Sequence, residues 1–317
     1  MDLQRVLQFL LQRQGAGDAC VLVTVCAVEG SSMRNPGSIM AVSETGEYEG
    51  SLSGGCIENA VVAEARQALE AGAPRVVRFG AGSPFLDIKL PCGGGLDVHF
   101  CPTVDHAFTA QCLDLIAQRT PFSIALSPSG AEVLREWRPT QFDPEADAGV
   151  FGHWPVPKIQ IIGHGAAVEA LVKLSPSMGC TNAVLTPDER LLPALKDYGP
   201  VTRLERINQT DLLNSDPWTA LIFLFHDHDW EIDLMERALE LPHFYIGAMG
   251  GRRAHAARCA ALLARGVSQE KLDTIRAPIG VFHSSRDPQT LALSTLAQVI
   301  RTYHETDFAA QCERALG

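Results

Sequence analysis

From Lys158 onward the chain alternates short apolar runs with helix-length segments. "KIQIIG" leads into a helix over 166–175, then the strand "NAVLT". "TALIFLF", the helix "EIDLMERALE" and the strand "HFYIG" follow, then a helix over 252–265, a last strand near "APIGVF" and a helical tail over 288–303. Strand and helix in turn require a parallel sheet with crossover helices, because parallel neighbours cannot be joined by a tight hairpin. The class is therefore α/β, and residues 157–317 are expected to form a Rossmann-like parallel-sheet domain.

The first half is patterned differently. "CVLVTVCAV", "SIMAVS", "RVVRFG", "LDIKL", "LDVHF" and "FSIALS" read as strands, with helices expected over 57–71 and 104–119. They predict a small N-terminal α/β domain over 1–140. The proline-rich, aperiodic stretch "RPTQFDPEADAGVFGHWPVP" reads as a linker over 141–156. A chain of 317 residues has room for two such cores.

Composition limits the partners. With 46% hydrophobic and 20% charged residues the chain reads as a folded soluble protein, and its net charge of −11 argues against nucleic-acid or anionic-membrane binding. A phosphorylated ligand stays open, since local amides and arginines can hold phosphate on an acidic protein. "MDLQRVLQFLLQRQG" lacks the continuous apolar run of a signal or membrane segment, so a cytoplasmic location is expected. The nine cysteines include no C-x-x-C pair, which suits reduced thiols and weakens a structural zinc.

Glycine loops carry the chemistry-bearing residues. In "GSLSGGCIENA", Ser53, Gly54 and Gly55 leave the backbone bare just before Cys56. One reading is a tight turn around a buried cysteine; the other is an anion lying on the amides with the sulfur taking part. A helix N-terminus would lower the thiol's pKa, and Glu58 would oppose this unless it faces outward. "LPCGGGLD" repeats the arrangement with Cys92, Gly93 and Gly94, although two thiols alone do not complete a metal site.

"IIGHGAAVEA" sets Gly163 and Gly165 between strand and helix, where a phosphate could approach the helix N-terminus. The third glycine of the dinucleotide fingerprint falls on Val168, which disfavours close helix–strand packing. Asp188 stands near the position of a ribose-binding acid. Glycines needed for turn geometry alone are the competing account. "FLFHDHDWE" ends a strand with His226, Asp227, His228 and Asp229, either facing the binding crevice or capping the next helix. In "YIGAMGGRRAHAARCAALLARG", Arg252 and Arg253 open a helix against its dipole, a local cost that an anionic ligand would offset. Alternatively both side chains turn into solvent.

Six segments in order, "GSSMRNPGSIMAV", "GSLSGGCIE", "PCGGGLDV", "IIGHGAAVEAL", "YIGAMGGRRAH" and "IRAPIGVFHSSRDPQTLALSTLAQVI", resemble the XdhC/CoxI family over nearly the whole chain. These are accessory proteins of molybdenum hydroxylases related to xanthine dehydrogenase. The resemblance implies a non-enzymatic chaperone that binds newly made molybdenum cofactor, protects it, presents it to a cysteine desulfurase for sulfuration and delivers it to a client. The cofactor would be molybdopterin or its cytosine dinucleotide. Ser53, Gly54, Gly55, Cys56, Cys92, Gly93, Gly94, Gly163, Gly165, Arg252 and Arg253 would bind it, with Cys56 and Cys92 toward the metal. The client would be a xanthine dehydrogenase or aldehyde oxidoreductase, a biosynthetic nucleotidyltransferase is a further partner, and a homodimer is implied. The sequence departs from the family where His164 sits between the glycines and where "GVFHSSRDP" brings in His283 and two serines. Two other readings compete: an NAD(P)-dependent oxidoreductase using Gly163, Gly165 and Asp188, and a thiol-based redox or metal sensor.

Overall fold

The computed structural model describes residues 2–32, 34–55, 57–83, 93–226, 228–282 and 285–316. It divides into two compact units, 1–155 and 156–317. The first runs α1 (Asp2–Gly15), β1 (Cys20–Glu29), β2 (Ile39–Ser43), β3 (Tyr48–Gly50), α2 (Glu58–Ala71), β4 (Arg75–Gly80), β5 (Gly95–Cys101) and α3 (His106–Ala117). Four more strands complete it: β6 (Phe122–Ser127), β7 (Gly130–Leu134), β8 (Gln141–Asp143) and β9 (Ala148–His153).

An antiparallel sheet of order β3-β2-β1-β5-β4 forms the centre of this unit. The strand β1 reads as one apolar run because both of its faces are covered. Cys20, Leu22 and Cys26 pack with α1, α3 and inward residues of a second sheet. Val21, Val23 and Val25 pack with Val61, Ala65 and Ala68 of α2. The second sheet has order β7-β6-β9-β8. Its β8 and β9 lie in the stretch expected as a linker. Phe151 is the reason: it is fully buried in the same core as Phe122 and Ile124, so an irregular-looking segment is tied down as strand. The expected strand "LDIKL" lies outside the described residues.

The second unit runs β10 (Lys158–Gly163), α4 (Ala166–Leu174), β11 (Thr181–Thr186), α5 (Leu191–Leu195), β12 (Val201–Arg203), β13 (Thr219–Leu224), α6 (Ile232–Ala238) and β14 (Tyr245–Ala248). The helices α7 (Arg252–Ala264), α8 (Gln269–Asp273), α9 (Pro288–Glu305) and α10 (Phe308–Leu316) follow. All five strands are parallel in the order β12-β11-β10-β13-β14, a doubly wound sheet. Ala220, Ile222 and Leu224 of β13 face α4 and α9, while Leu221 and Phe223 face α6 and α7. The α/β expectation therefore holds. Near "APIGVF" the expected strand shrinks to one parallel bridge between Arg276 and Gly247 of β14, extended by Ile279 N donating to the Ala248 carbonyl at 3.2 Å; beyond it Gly280 and Phe282 turn their amides to Gln298 and Ser294 of α9, each at 2.7 Å.

Candidate functional site

In the first unit the bare loop amides of Leu52, Ser53, Gly54, Gly55 and Ile57 are already engaged. Glu58, in the first turn of α2, is only 4% exposed and turns its carboxylate back onto the loop that precedes it. Oε1 accepts from Ser51 Oγ at 2.7 Å, Leu52 N at 3.2 Å and Ser53 N at 3.0 Å. Oε2 accepts from Ser53 Oγ at 2.8 Å, Gly55 N at 2.9 Å and Ile57 N at 3.2 Å. Gly54 N is taken by Ser51 Oγ at 3.0 Å. Burial pushes the Glu58 carboxyl up, but the bonds from Ser51, Ser53 and the loop amides outweigh it and hold the pKa at about 2. The chain thus supplies its own anion to the nest that an external one was expected to fill. The sequence suggests Glu58 only as a charge opposing the thiolate unless it faces outward, whereas it turns inward onto the loop. Its signal was present: an acid in the first turn of a helix is where orphan amides find an acceptor.

Cys56 and Cys92 lie outside the described residues. Gly93 has φ +70° and open space around it. Gly94 is a packing glycine: a Cβ there would stand 2.5 Å from the Glu29 carbonyl oxygen and 3.0 Å from that of Ser31. Cys26, Cys112 and Cys180 are buried thiols pushed up to about 12 by desolvation, which makes them core residues and not reactive groups.

In the second unit the carboxyl ends of the strands carry the residues singled out. Gly163 and Gly165 act differently. A Cβ on Gly163 would lie 2.4 Å from the carbonyl oxygen of Leu224 on the neighbouring strand, so glycine there sets strand spacing. Gly165 caps α4 at φ +82° and ψ −168°, and no atom lies within 4 Å of its would-be Cβ. Only the second glycine leaves room for a ligand. Val168 is fully buried in the core shared by β10 and α4, filling the contact it was expected to disfavour.

Asp188 follows β11, and its carboxylate is held by both forks of Arg190, Nε to Oδ1 and Nη2 to Oδ2, each at 2.9 Å. That contact holds its pKa below the usual carboxylate range. The His164 ring lies 5.8 Å from that of His226 at the end of β13. Asp227 lies outside the described residues, and the N-cap of α6 is Glu231, so Asp229 does not cap it. Among the described residues no three His, Cys, Asp or Glu side chains converge as a metal site.

After β14, Gly251 is the N-cap of α7 and has no side chain to bond the first-turn amides, and among the described residues no other side chain accepts from them. Arg252 and Arg253 are exposed, and among the described residues neither forms an ion pair. Behind them Arg258 is fully buried against Glu231, with Nε–Oε2 at 3.1 Å and Nη2–Oε2 at 2.9 Å. Nη2 also donates to the Met249 carbonyl at 2.8 Å, tying α7 to the glycine turn. This pair was not anticipated, because a lone arginine and a lone glutamate 27 residues apart give no pattern to read.

An antiparallel α/β unit followed by a parallel unit with glycine turns at its strand ends defines a two-part protein with a Rossmann-type second half. Residues 159–299 match the XdhC Rossmann domain, and residues 14–80 match the XdhC and CoxI family. The chain is 32% identical over 312 residues to the molybdenum cofactor insertion chaperone PaoD of Escherichia coli K12, covering 96% of this chain and 91% of PaoD. It is 23% identical over 272 residues to the protein YqeB of the same organism, of which it spans 40%. A crystal structure from Bacillus halodurans, described as a xanthine dehydrogenase, superposes with a TM-score of 0.78 at 21% identity, with 97% of each chain covered. That likeness shows the fold. The chain belongs to the XdhC and CoxI family.

Proposed function

We propose that this chain is a molybdenum-cofactor insertion chaperone: it holds the cofactor and hands it to a molybdoenzyme, with no turnover of its own. The carrying observation is the 32% identity to PaoD across 96% of the chain. Sulfuration by a cysteine desulfurase, a xanthine dehydrogenase or aldehyde oxidoreductase client, a nucleotidyltransferase contact, a homodimer, a cytoplasmic location and a cytosine dinucleotide form belong to this proposal. No described helix is long and apolar enough to cross a membrane.

The two ends of such a cargo need different chemistry. Its phosphate suits exposed cations beside uncapped helix amides, as at Arg252 and Arg253, and the open approach over Gly165. Its metal suits thiolate, which in this reading is Cys56 and Cys92. Ser53, Gly54 and Gly55 serve as the loop that carries Cys56, since Glu58 and Ser51 already use their amides. Gly93 and Gly94 have the same part beside Cys92, and Gly163 keeps the strand spacing behind Gly165.

The test is metal and pterin analysis of the full chain purified from cells that make the cofactor. Molybdenum and pterin fluorescence near one per chain is expected, and Cys56→Ala should lower both. Stabilisation by NAD(P)H with no pterin would overturn the reading.

A further inference from the structure

The geometry points to Glu58 as a positioning residue: its carboxylate, seated on the amides of Leu52, Ser53, Gly55 and Ile57, holds the backbone on either side of the Cys56 position. The inference rests on the reading that Cys56 engages the cofactor. Three observations carry it. The donors bracket the cysteine in sequence, with Leu52, Ser53 and Gly55 on one side and Ile57 on the other. Leu52 and Ile57 anchor the two ends of the loop in the core, and between them packing gives little hold: Gly54 and Gly55 are exposed at φ +75° and +111°, and no atom lies within 4 Å of a would-be Cβ on Gly55. Glu58 itself stands on a fixed base, because α2 buries Val61, Ala65 and Ala68 in the core.

The two serines extend the same network. Ser53 Oγ donates to Glu58 and accepts from Ile57 N at 3.1 Å, while Ser51 Oγ donates to Glu58 and accepts from Gly54 N. Among the described residues no lysine or arginine forms an ion pair with Glu58, so oriented backbone and hydroxyl dipoles compensate its charge. A loop ordered in advance does not lose that conformational entropy when its thiol meets the cargo.

Glutamine is the discriminating replacement, because it keeps the shape but turns one oxygen into a donor. Whichever way its amide is oriented, about half of the present donors would face an NH2 group. In Glu58→Gln, hydrogen exchange across 51–57 should accelerate while α2 beyond Val61 stays protected. Molybdenum and pterin retained by the full chain should fall about 10- to 100-fold, the range typical of groups that orient a metal ligand. Glu58→Asp keeps the charge and should lie between Glu58→Gln and the unmodified chain. In Glu58→Ala, added formate should restore part of both signals, which a purely structural loss would not show.

Faster loop exchange with unmodified cofactor retention would overturn the proposal, as would unchanged exchange. Retention that falls in Glu58→Gln but not in Cys56→Ala would overturn the reading of the thiol instead, and with it the group that Glu58 is said to position.

Discussion

Replacing Arg258 by methionine tests how the glycine turn after β14 is held. The guanidinium makes three contacts with the Glu231 carboxylate, at 2.9, 3.1 and 3.2 Å, and one with the Met249 carbonyl at 2.8 Å. Both ion-pair side chains are fully buried. Methionine fills much of the volume but leaves a carboxylate in the core facing apolar atoms, and removing one partner of a buried pair costs about 3–5 kcal/mol. At a urea slope of about 2 kcal/mol per molar, the unfolding midpoint should fall by about 1.5–2.5 M. Arg258→Met combined with Glu231→Leu removes the stranded charge. Apolar replacement of both partners is often close to neutral, so the double variant should recover most of the loss. It should remain about 1 kcal/mol below the parent, because the Met249 carbonyl still lacks its donor. A single variant that costs under about 1 kcal/mol, or a double variant less stable than the single, would show that the pair does not hold this turn.

Gly163→Ala should lower stability by about 2–3 kcal/mol in thermal unfolding, since its Cβ meets Leu224 backbone atoms at 2.4 and 2.7 Å that can yield only by parting two strands. Glu58 makes the acid arm of the stability curve steep. Its folded pKa of about 2 lies below the ordinary 4.5, so its contribution is complete above pH 4.5 and is lost as pH falls toward 2. That loss amounts to about 2–3 kcal/mol in urea titrations, and Glu58→Gln should flatten it. Arg252→Ala and Arg253→Ala, both at exposed positions, should change stability by less than about 0.5 kcal/mol. The same variants should weaken retention of the phosphorylated pterin several-fold and reduce its salt dependence; unaltered retention would remove these arginines from the site. Arg190→Ala should be close to neutral in unfolding despite its bidentate contact, because its side chain is 87% exposed.

What could be read in the sequence follows from which signals are local. Apolar runs such as "KIQIIG" and "TALIFLF" are buried on both faces of a parallel sheet, and that burial leaves its mark residue by residue. Of the second sheet in the first unit only β6, "FSIALS", was legible, because β8 is a three-residue strand and β9 runs through Gly149 and Gly152. Their propensities say loop, and only long-range pairing with β6 says strand. The "APIGVF" segment failed in the opposite sense. Its apolar residues suit a strand, yet after Ile279 N bonds to the Ala248 carbonyl of β14 the amides of Gly280 and Phe282 turn to helix side chains and the ladder stops. At the glycine turn, two residues with the same letter differ: Gly163 sets strand spacing, while Gly165 has open space beside it. That difference lies in the position of Leu224, far along the chain.

The glycine loop before Cys56 shows why a bare stretch of backbone is an ambiguous sign of a ligand site. Amides without local acceptors require an anion, but the requirement does not say whose anion it is. In this chain the acceptor comes from the first turn of the next helix, only a few residues along the chain, and the hydrogen bonds it accepts outweigh its burial and keep it ionised down to about pH 2. A phosphate competing for those amides would have to displace a carboxylate that cannot diffuse away. The loop is therefore a poor phosphate site, and in the proposed reading its part is to mount the Cys56 side chain. Among the described residues no side chain accepts from the first-turn amides of α7, and in the proposed reading Arg252 and Arg253 beside them make this the end where an incoming phosphate gains the most.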